Sequence, residues 1–518
     1  MKRQIVNIVN FIRACEPRCE TNLLMPVIEQ IRLLKEYDLP GTFLVQYDAM
    51  IKEQFRSLLK SLDSRCEIGA WFEMNQPLIE KAGLEWRGRT GWAWDYHSNI
   101  GFSVGYTPVE RKRIADVFME DFKGIFGYYP STVGSWFIDS YTLEYLYNKY
   151  KISSSCNCKD QWGTDGYTLW GGYYGQAYYP SKTNMFCPAQ TISQQINVPI
   201  FRMLGSDPIY QYDAGASFSK PSDCQPVVTL EPAYSEDGGG GGDPNWVDWF
   251  FSENFNGQCL SFGYAQVGQE NSFGWEKMKL GLTYQVETLS RLQKEGKLLV
   301  ETMKQSGLWY RKTYPITPAS SIVANKDWKL SGNRSAWYCC RNYRTNLFYD
   351  SNGFRIRDFV LFDQNYHERY LAARCESDAA HYDNLPLMDG NRWSGLGIVA
   401  GIFPIVKEPC KLLAPKFSTI GDDTLEASIP IGNGECIIRC DEEKISIMMN
   451  SKENWYLEFI WRRDCEVPFV RIDCNCIICN WNNHAYSLKI NGGRFEEKYN
   501  GIRVIPETGV IQLIPSRI

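Results

Sequence analysis

The chain has 518 residues, a formal net charge of −5 and 44% hydrophobic content. That length is too great for one ordinary core and points to two or three domains. The acidic balance, without any clustered Lys/Arg run, excludes recognition of a phosphate backbone, so nucleic acid is not an expected partner. Composition is ordinary except for the aromatics, which reach 14% and include 17 Trp and 31 Tyr; rings with one polar edge stack on sugars as readily as they fill cores.

Met1-Lys2-Arg3 leads directly into Ile5-Val6-Asn7-Ile8-Val9-Asn10-Phe11, which reads as a first strand and not as the apolar core of a secretory signal. The longest apolar stretch, 396–406, is broken by glycine and proline and is too short to cross a bilayer. A cytoplasmic protein with no membrane partner is expected. The 18 cysteines show no regular spacing. Cys474, Cys476 and Cys479 crowd together, but no second pair or paired histidine joins them, so buried thiols are the simpler reading.

From the start to about 300, extended apolar runs alternate with helical periodicity, the pattern of a βα-repeat fold with a parallel sheet. A strand over 5–12 is followed by a helix over 23–37, a strand over 42–47 closing on Asp48, a helix over 54–62, and a strand over 66–72 ending near Glu73. The connection over 75–106 is long and holds Trp86, Arg87, Arg89, Trp92, Trp94, Asp95 and His97; it reads as a wall of a site. Thr107-Pro108-Val109-Glu110 carries the start signals of a helix that continues to about 126.

The apolar run over 132–138 stops on Asp139, before a helix over 141–150. After it come Asp160, Trp162, Trp170 and Tyr173, then an excursion over 180–226 that contains Arg202, Asp207 and Tyr210. A strand over 225–230 is expected to end on Glu231. Five consecutive glycines between Asp237 and Asp243 read as a flexible loop, either a lid or a linker. A strand over 259–266 precedes Glu270, and a helix follows over 275–294. Beyond Pro315 the texture changes to short alternating strands with turn signals such as Ser351-Asn352-Gly353, which predicts an all-β sandwich.

Short motifs resemble known families. Gly41-Thr42-Phe43-Leu44-Val45 and Glu67-Ile68-Gly69 resemble the second and third strands of the polysaccharide deacetylase barrel. Trp136-Phe137-Ile138-Asp139 resembles a strand end of family 38 glycoside hydrolases, in which the aspartate is the nucleophile. Both belong to one superfamily, and the whole chain is similar to bacterial glycoside hydrolases of undefined activity. The resemblance implies an α/β fold, a (β/α)7-type barrel over 1–314 as the catalytic domain, followed by a C-terminal β-sandwich over 315–518.

The departures concern metal. The deacetylases hold an ion with one Asp and two His, whereas here the third strand continues Ala70-Trp71-Phe72-Glu73. The family 38 barrels begin with His-x-Asp, whereas the first strand here ends Arg13-Ala14-Cys15-Glu16. Only His97, His367, His381 and His484 exist, and no two lie at ligand spacing. No catalytic metal or cofactor is expected.

What remains at predicted strand ends is a set of carboxylates: Glu16, Asp48, Glu73, Asp139, Asp160, Glu231 and Glu270. Glycoside hydrolysis needs two, an acid of raised pKa and a nucleophile or base. Asp139 is expected as the ionised partner, on position and motif, and Glu270 or Glu231 as the acid. Asp160 either replaces one of them or binds a sugar hydroxyl. Trp71, Trp94, Trp136, Trp162, Trp170, Tyr173 and Tyr210 are expected to line the subsites with Glu73 and Asp207, while Arg13, Arg87 and Arg202 bind a carboxylated sugar or pair with the acids. For any one of these acids a helix cap is an equally good reading. The expected function is metal-independent hydrolysis of an oligosaccharide or glycoconjugate. The alternatives are a non-catalytic carbohydrate binder on the same barrel and a divergent carbohydrate deacetylase.

Overall fold

The computed structural model describes residues 2–214, 224–235, 239–256, 258–406, 411–432, 434–450, 454–498 and 501–518. Its first part is an arc of parallel strands: β1 (Gln4–Ile12), β2 (Thr42–Val45), β3 (Glu67–Trp71), β4 (Val133–Gly134), β5 (Ser155–Cys158), β6 (Ile200–Met203), β7 (Gly263–Val267) and β8 (Leu299–Glu301). β1 is the hub. Its first half pairs with both β7 and β8 and its second half with β2, which continues the sheet to β3 and β4. A parallel bridge from Thr132 to Ser154 carries the arc on to β5, which pairs with β6. Among the described residues no strand pairing joins β6 to β7, so the arc is a half-barrel in its hydrogen bonding.

Every residue of β1 is buried, as both faces of a covered parallel sheet must be. Alternate residues diverge. Val9 and Phe11 join Leu44, Trp71, Trp136, Cys156, Cys158, Phe201 and Met203 in an inner cluster. Ile8 and Ile12 join Phe43 and Val45 under the helices. Helix Pro108–Phe126 begins with the capping box of Thr107 and Glu110 and stops at Gly127, whose φ of 84° suits a residue without Cβ. Helices Met25–Glu36 and Trp275–Lys294 complete the outer layer on either side of β1.

Two expectations are corrected. The strand over 225–230 is absent: Pro226 has no N–H to give, the Val228 N–H donates to the Gln211 side chain, and Leu230 N–H alone reaches Leu204 O, at 2.8 Å. The glycine run is also not a loose loop where it is described. Gly241 and Gly242 N–H donate to Thr229 O and Tyr234 O, and the Gln285 amide clamps both Leu230 O and Gly241 O. A Cβ on Gly241 would lie 2.1 Å from Leu230 O. Gly238, with Glu236 and Asp237, lies outside the described residues. The glycines let two chain segments touch, and Glu231 rides on that contact. Gly241→Ala is therefore expected to cost about 1–3 kcal/mol by overpacking, read as a fall in the thermal midpoint.

Beyond residue 319 the described strands other than Ala380–Tyr382 form a nine-stranded and an eight-stranded sheet, antiparallel throughout, sharing one apolar core. Residues 363–383 leave the sandwich and return to the half-barrel. Arg111 donates to Tyr370 O and Ala373 O, the Glu368 carboxylate accepts from Ser140 N and Met185 N, and Ala380–Tyr382 pairs in parallel with Tyr167–Leu169. Among the described residues no helix is long and apolar enough to cross a membrane.

Candidate active site

The carboxyl ends of the parallel strands gather one compact set of charges. Arg13, the residue after β1, is 2% exposed and forms its centre. Its Nη2 lies 2.8 Å from Glu270 Oε2 and 3.6 Å from Glu73 Oε2, and its Nη1 lies 3.4 Å from Glu16 Oε2. The guanidinium lies over the Trp94 ring at 3.9 Å, and the Trp94 indole N–H donates to Glu73 at 3.0 Å. Arg18 reaches from the rim to Glu16 at 2.7 Å and to Asp165 at 3.2 Å. Working residues at this end of a parallel βα sheet are the ordinary arrangement.

Local sequence explains the placement. Phe11 bridges in parallel to Glu270, extending the β1–β7 register past the strand and bringing Glu270 beside Arg13; Ser272 Oγ donates to its other oxygen. Glu73 follows β3 by two residues. Glu231 accepts from Gln269 Nε2 at 3.0 Å and from Thr229 Oγ1 at 3.1 Å. Asp165 and Gly166 have φ of 43° and 72°, a tight two-residue turn joining Gln161–Thr164 to Tyr167–Leu169. Ser98 and Ala380 both donate to Gly166 O, which fixes the hairpin over Arg18.

The acids differ in proton affinity. Burial pushes Glu73 up to about 8; Arg13 opposes this and Glu270 adds to it. Burial also pushes Glu231 up to about 7, with Gln269 opposing and Glu270 adding. Asp165 is raised by burial against the pull of Arg18. Two buried acids therefore keep their protons near neutrality beside an arginine-bound carboxylate, which is how acid and base roles become separated in one site.

This has a consequence for stability. A glutamate in the unfolded chain ionises near 4.5, so between there and about 8 the folded chain holds more protons than the unfolded one. The stabilisation is full below about 4.5 and is lost as pH rises through about 7 for Glu231 and about 8 for Glu73. The thermal midpoint is expected to fall from pH 5 to pH 9. Glu73→Gln, which still accepts from Trp94, should flatten that fall, as calorimetry across the range would show.

Other expected site residues lie elsewhere. Asp139 is fully buried and caps helix Ser140–Tyr150: its oxygens accept from Thr142 N at 2.8 Å, Thr142 Oγ1, Ser103 Oγ and Arg111 Nη1 at 3.0 Å. All its acceptor capacity is taken, and it does not face Arg13. Asp160 is paired with Arg344 at 2.7 Å and accepts from Gly171 N. Asp207 accepts from Ile209 N, Tyr210 N and the Trp246 indole. Tyr210 donates to Asp327, Tyr173 meets Ser320, and Trp170 donates to Asp389 with Trp162 edge-on at 6.3 Å. Asp160, Trp170, Tyr173 and Tyr210 join the half-barrel to the sandwich, whereas Asp207 is held within the first part of the chain. Arg202 makes no ion pair with the acids among the described residues and lies by Tyr178 and Phe186, and Arg87 donates to Gly105 O. Asp48 is tied to Ala14 N and Ala49 N.

Trp71 and Trp136 do stay close, edge-on at 5.4 Å inside the half-barrel and both against Phe11. Sequence reasoning missed Arg18, Asp165 and Gln269 as members of the cluster, and Tyr234, whose hydroxyl is pushed up by burial and by the nearby Glu231 and Glu270. Thr164-Asp165-Gly166-Tyr167 carried a usable signal, since Asp-Gly between alternating residues marks a hairpin tip.

No protein-family model matches the chain, and no curated protein matches its sequence. Solved structures do match. One, a "putative glycoside hydrolase/deacetylase" from Parabacteroides distasonis, has 15% identity and a TM-score of 0.54, covering 74% of this chain and 90% of its own. The likeness is one of fold. A "putative polysaccharide deacetylase" from Mycobacterium smegmatis matches at 14% identity and a TM-score of 0.34, covering 61% of this chain and 93% of its own.

The deacetylase resemblance would bring a metal, and the residues here do not fit one. Among the described residues no three His, Cys, Asp or Glu side chains gather to hold an ion, and Glu16, Glu73, Glu270 and Asp165 already face arginines.

Proposed function

We propose that the protein hydrolyses a glycosidic bond in a carbohydrate, with Glu231 as the proton donor and Glu270 as its carboxylate partner. The observation that carries this reading is the pairing of a buried acid, Glu231, which burial and Glu270 push up to about 7, with a carboxylate that Arg13 grips at 2.8 Å. Glu231 gives its proton to the leaving oxygen. Glu270 attacks the anomeric carbon or activates water there. Arg13 and Ser272 fix the carboxylate's orientation, and Glu73, pushed up to about 8, adds little negative charge near neutrality.

Trp71 and Trp136 supply an apolar floor whose indole N–H groups bond to no described residue, while the Trp94 ring is taken up by Arg13 and Arg18. The description of the Parabacteroides distasonis protein agrees with a carbohydrate substrate. Asp139 has no chemical role in this reading.

The test is a panel of oligosaccharides and chromogenic glycosides. On whichever is cleaved, turnover should fall above pH 7 as Glu231 loses its proton. A rate that stays level to pH 9 would remove Glu231 as the acid. Acetate released in place of sugar would replace the hydrolase with a deacetylase.

A further inference from the structure

Among the described residues Arg202 has no ion-pair partner. Its neighbours on β6, Phe201 and Met203, belong to the inner cluster. Arg202 therefore projects from the other face of the strand, into the layer between the parallel sheet and residues 170–189. It is 1% exposed, and among the described residues none of its three guanidinium nitrogens makes a hydrogen bond of good geometry, the Tyr178 hydroxyl being the near polar group that feels it. Among the described residues no carboxylate pairs with it. The Tyr178 and Phe186 ring centroids lie 5.8 and 5.7 Å from its Cζ, at the outer limit of a cation–π contact.

A second cation shares the layer. Lys159 follows β5, the strand that pairs with β6. It is 7% exposed and lies over the Tyr174 ring at 4.7 Å. It makes no ion pair or side-chain hydrogen bond among the described residues, and the buried Tyr174 hydroxyl likewise has no partner.

A guanidinium cannot shed its charge, and burying a cation without a counter-charge is among the most costly arrangements a fold can contain. Burial and the field of Arg202 push Lys159 down to about 7, the response of a second cation placed where the first is already uncompensated. Three kinds of donor, guanidinium, ammonium and phenol, are thus enclosed in one layer.

We propose that Arg202 and Lys159 hold a small monovalent anion, a halide such as chloride, in the layer behind the wall of the half-barrel. Enclosure by rings and near-zero exposure favour a compact ion over a carboxylated ligand. Neither cation pairs with Glu231 or Glu270 among the described residues, so the proposal does not depend on their chemistry.

Thermal unfolding of the full chain tests this without needing the ion to exchange in the folded state, because unfolding releases it. The protein, dialysed free of halide, is melted in sodium chloride and in sodium gluconate at equal ionic strength. The midpoint should be higher in chloride and rise with the logarithm of its concentration, and Arg202→Met should remove the difference between the salts. If that variant does not fold, Lys159→Met gives the same comparison. Equal midpoints in the two salts for the unaltered protein overturn the proposal, as does a chloride effect that persists undiminished in the variant. Crystals grown in bromide should show an anomalous peak beside the Arg202 guanidinium; a featureless map there overturns it as well.

Discussion

Glu270→Gln should lower turnover by roughly three orders of magnitude on any glycan the protein cleaves, while the chain still folds. The amide can keep its oxygen towards Arg13 Nη2 and turn its NH2 to donate to Ser272 Oγ, so packing is preserved and the negative charge at the reacting centre is lost. Glu231→Gln should be as damaging on natural sugars, whose leaving alkoxides need a proton, and much less so on aryl glycosides with acidic phenols, which leave without help. That contrast separates the two roles. Sparing of aryl glycosides by Glu270→Gln and not by Glu231→Gln would show that the acid and its partner have been assigned in the wrong order, and near-normal turnover in Glu270→Gln would remove it from the mechanism.

Asp139→Ala should instead cost stability. Arg111, fully buried, would keep its backbone acceptors but lose its counter-charge, and helix Ser140–Tyr150 would lose its cap. Breaking a buried pair and deleting a cap together cost about 3–5 kcal/mol, a large part of the stability of an ordinary domain. Asp139→Asn keeps the cap and should cost less. For both variants the expected readout is a lower thermal midpoint with unchanged turnover per folded molecule. A variant that melts normally and has lost turnover would restore Asp139 as a nucleophile.

The contrast between Asp139 and Glu231 shows what was legible in the sequence. The strands of the half-barrel were readable because buried parallel strands write continuous apolar runs, and helix Pro108–Phe126 because Thr107, Pro108 and Glu110 each have one physical reason to stand there. That acids follow such strands was equally plain. Which acids face one another was not, because a carboxylate at a strand end and a carboxylate at a helix start can be the same residue. Asp139 is both, and Thr142 and Arg111 decide the matter. Arg111 lies 28 residues away in sequence, and no local pattern reports such a partner. Arg13 at the centre of the cluster was visible only as one of several arginines. Tyr173, Trp170 and Tyr210 misled for a related reason: aromatics that seal two domains look, in sequence, like aromatics that bind sugar.

Residues 363–383 impose an order on synthesis. Arg111 waits for the carbonyls of Tyr370 and Ala373, about 260 residues later, and the hairpin bearing Asp165 waits for Ala380 and Tyr382. On a ribosome adding about 5–20 residues each second, the half-barrel is complete for several seconds before its clasp emerges. The nascent chain can hold Arg13 against Glu270 during that interval, but it cannot hold Asp165 over Arg18. A release-halted chain ending near residue 320 should therefore show protected strands and an Asp165 hairpin open to protease, closing only when the last third of the protein arrives.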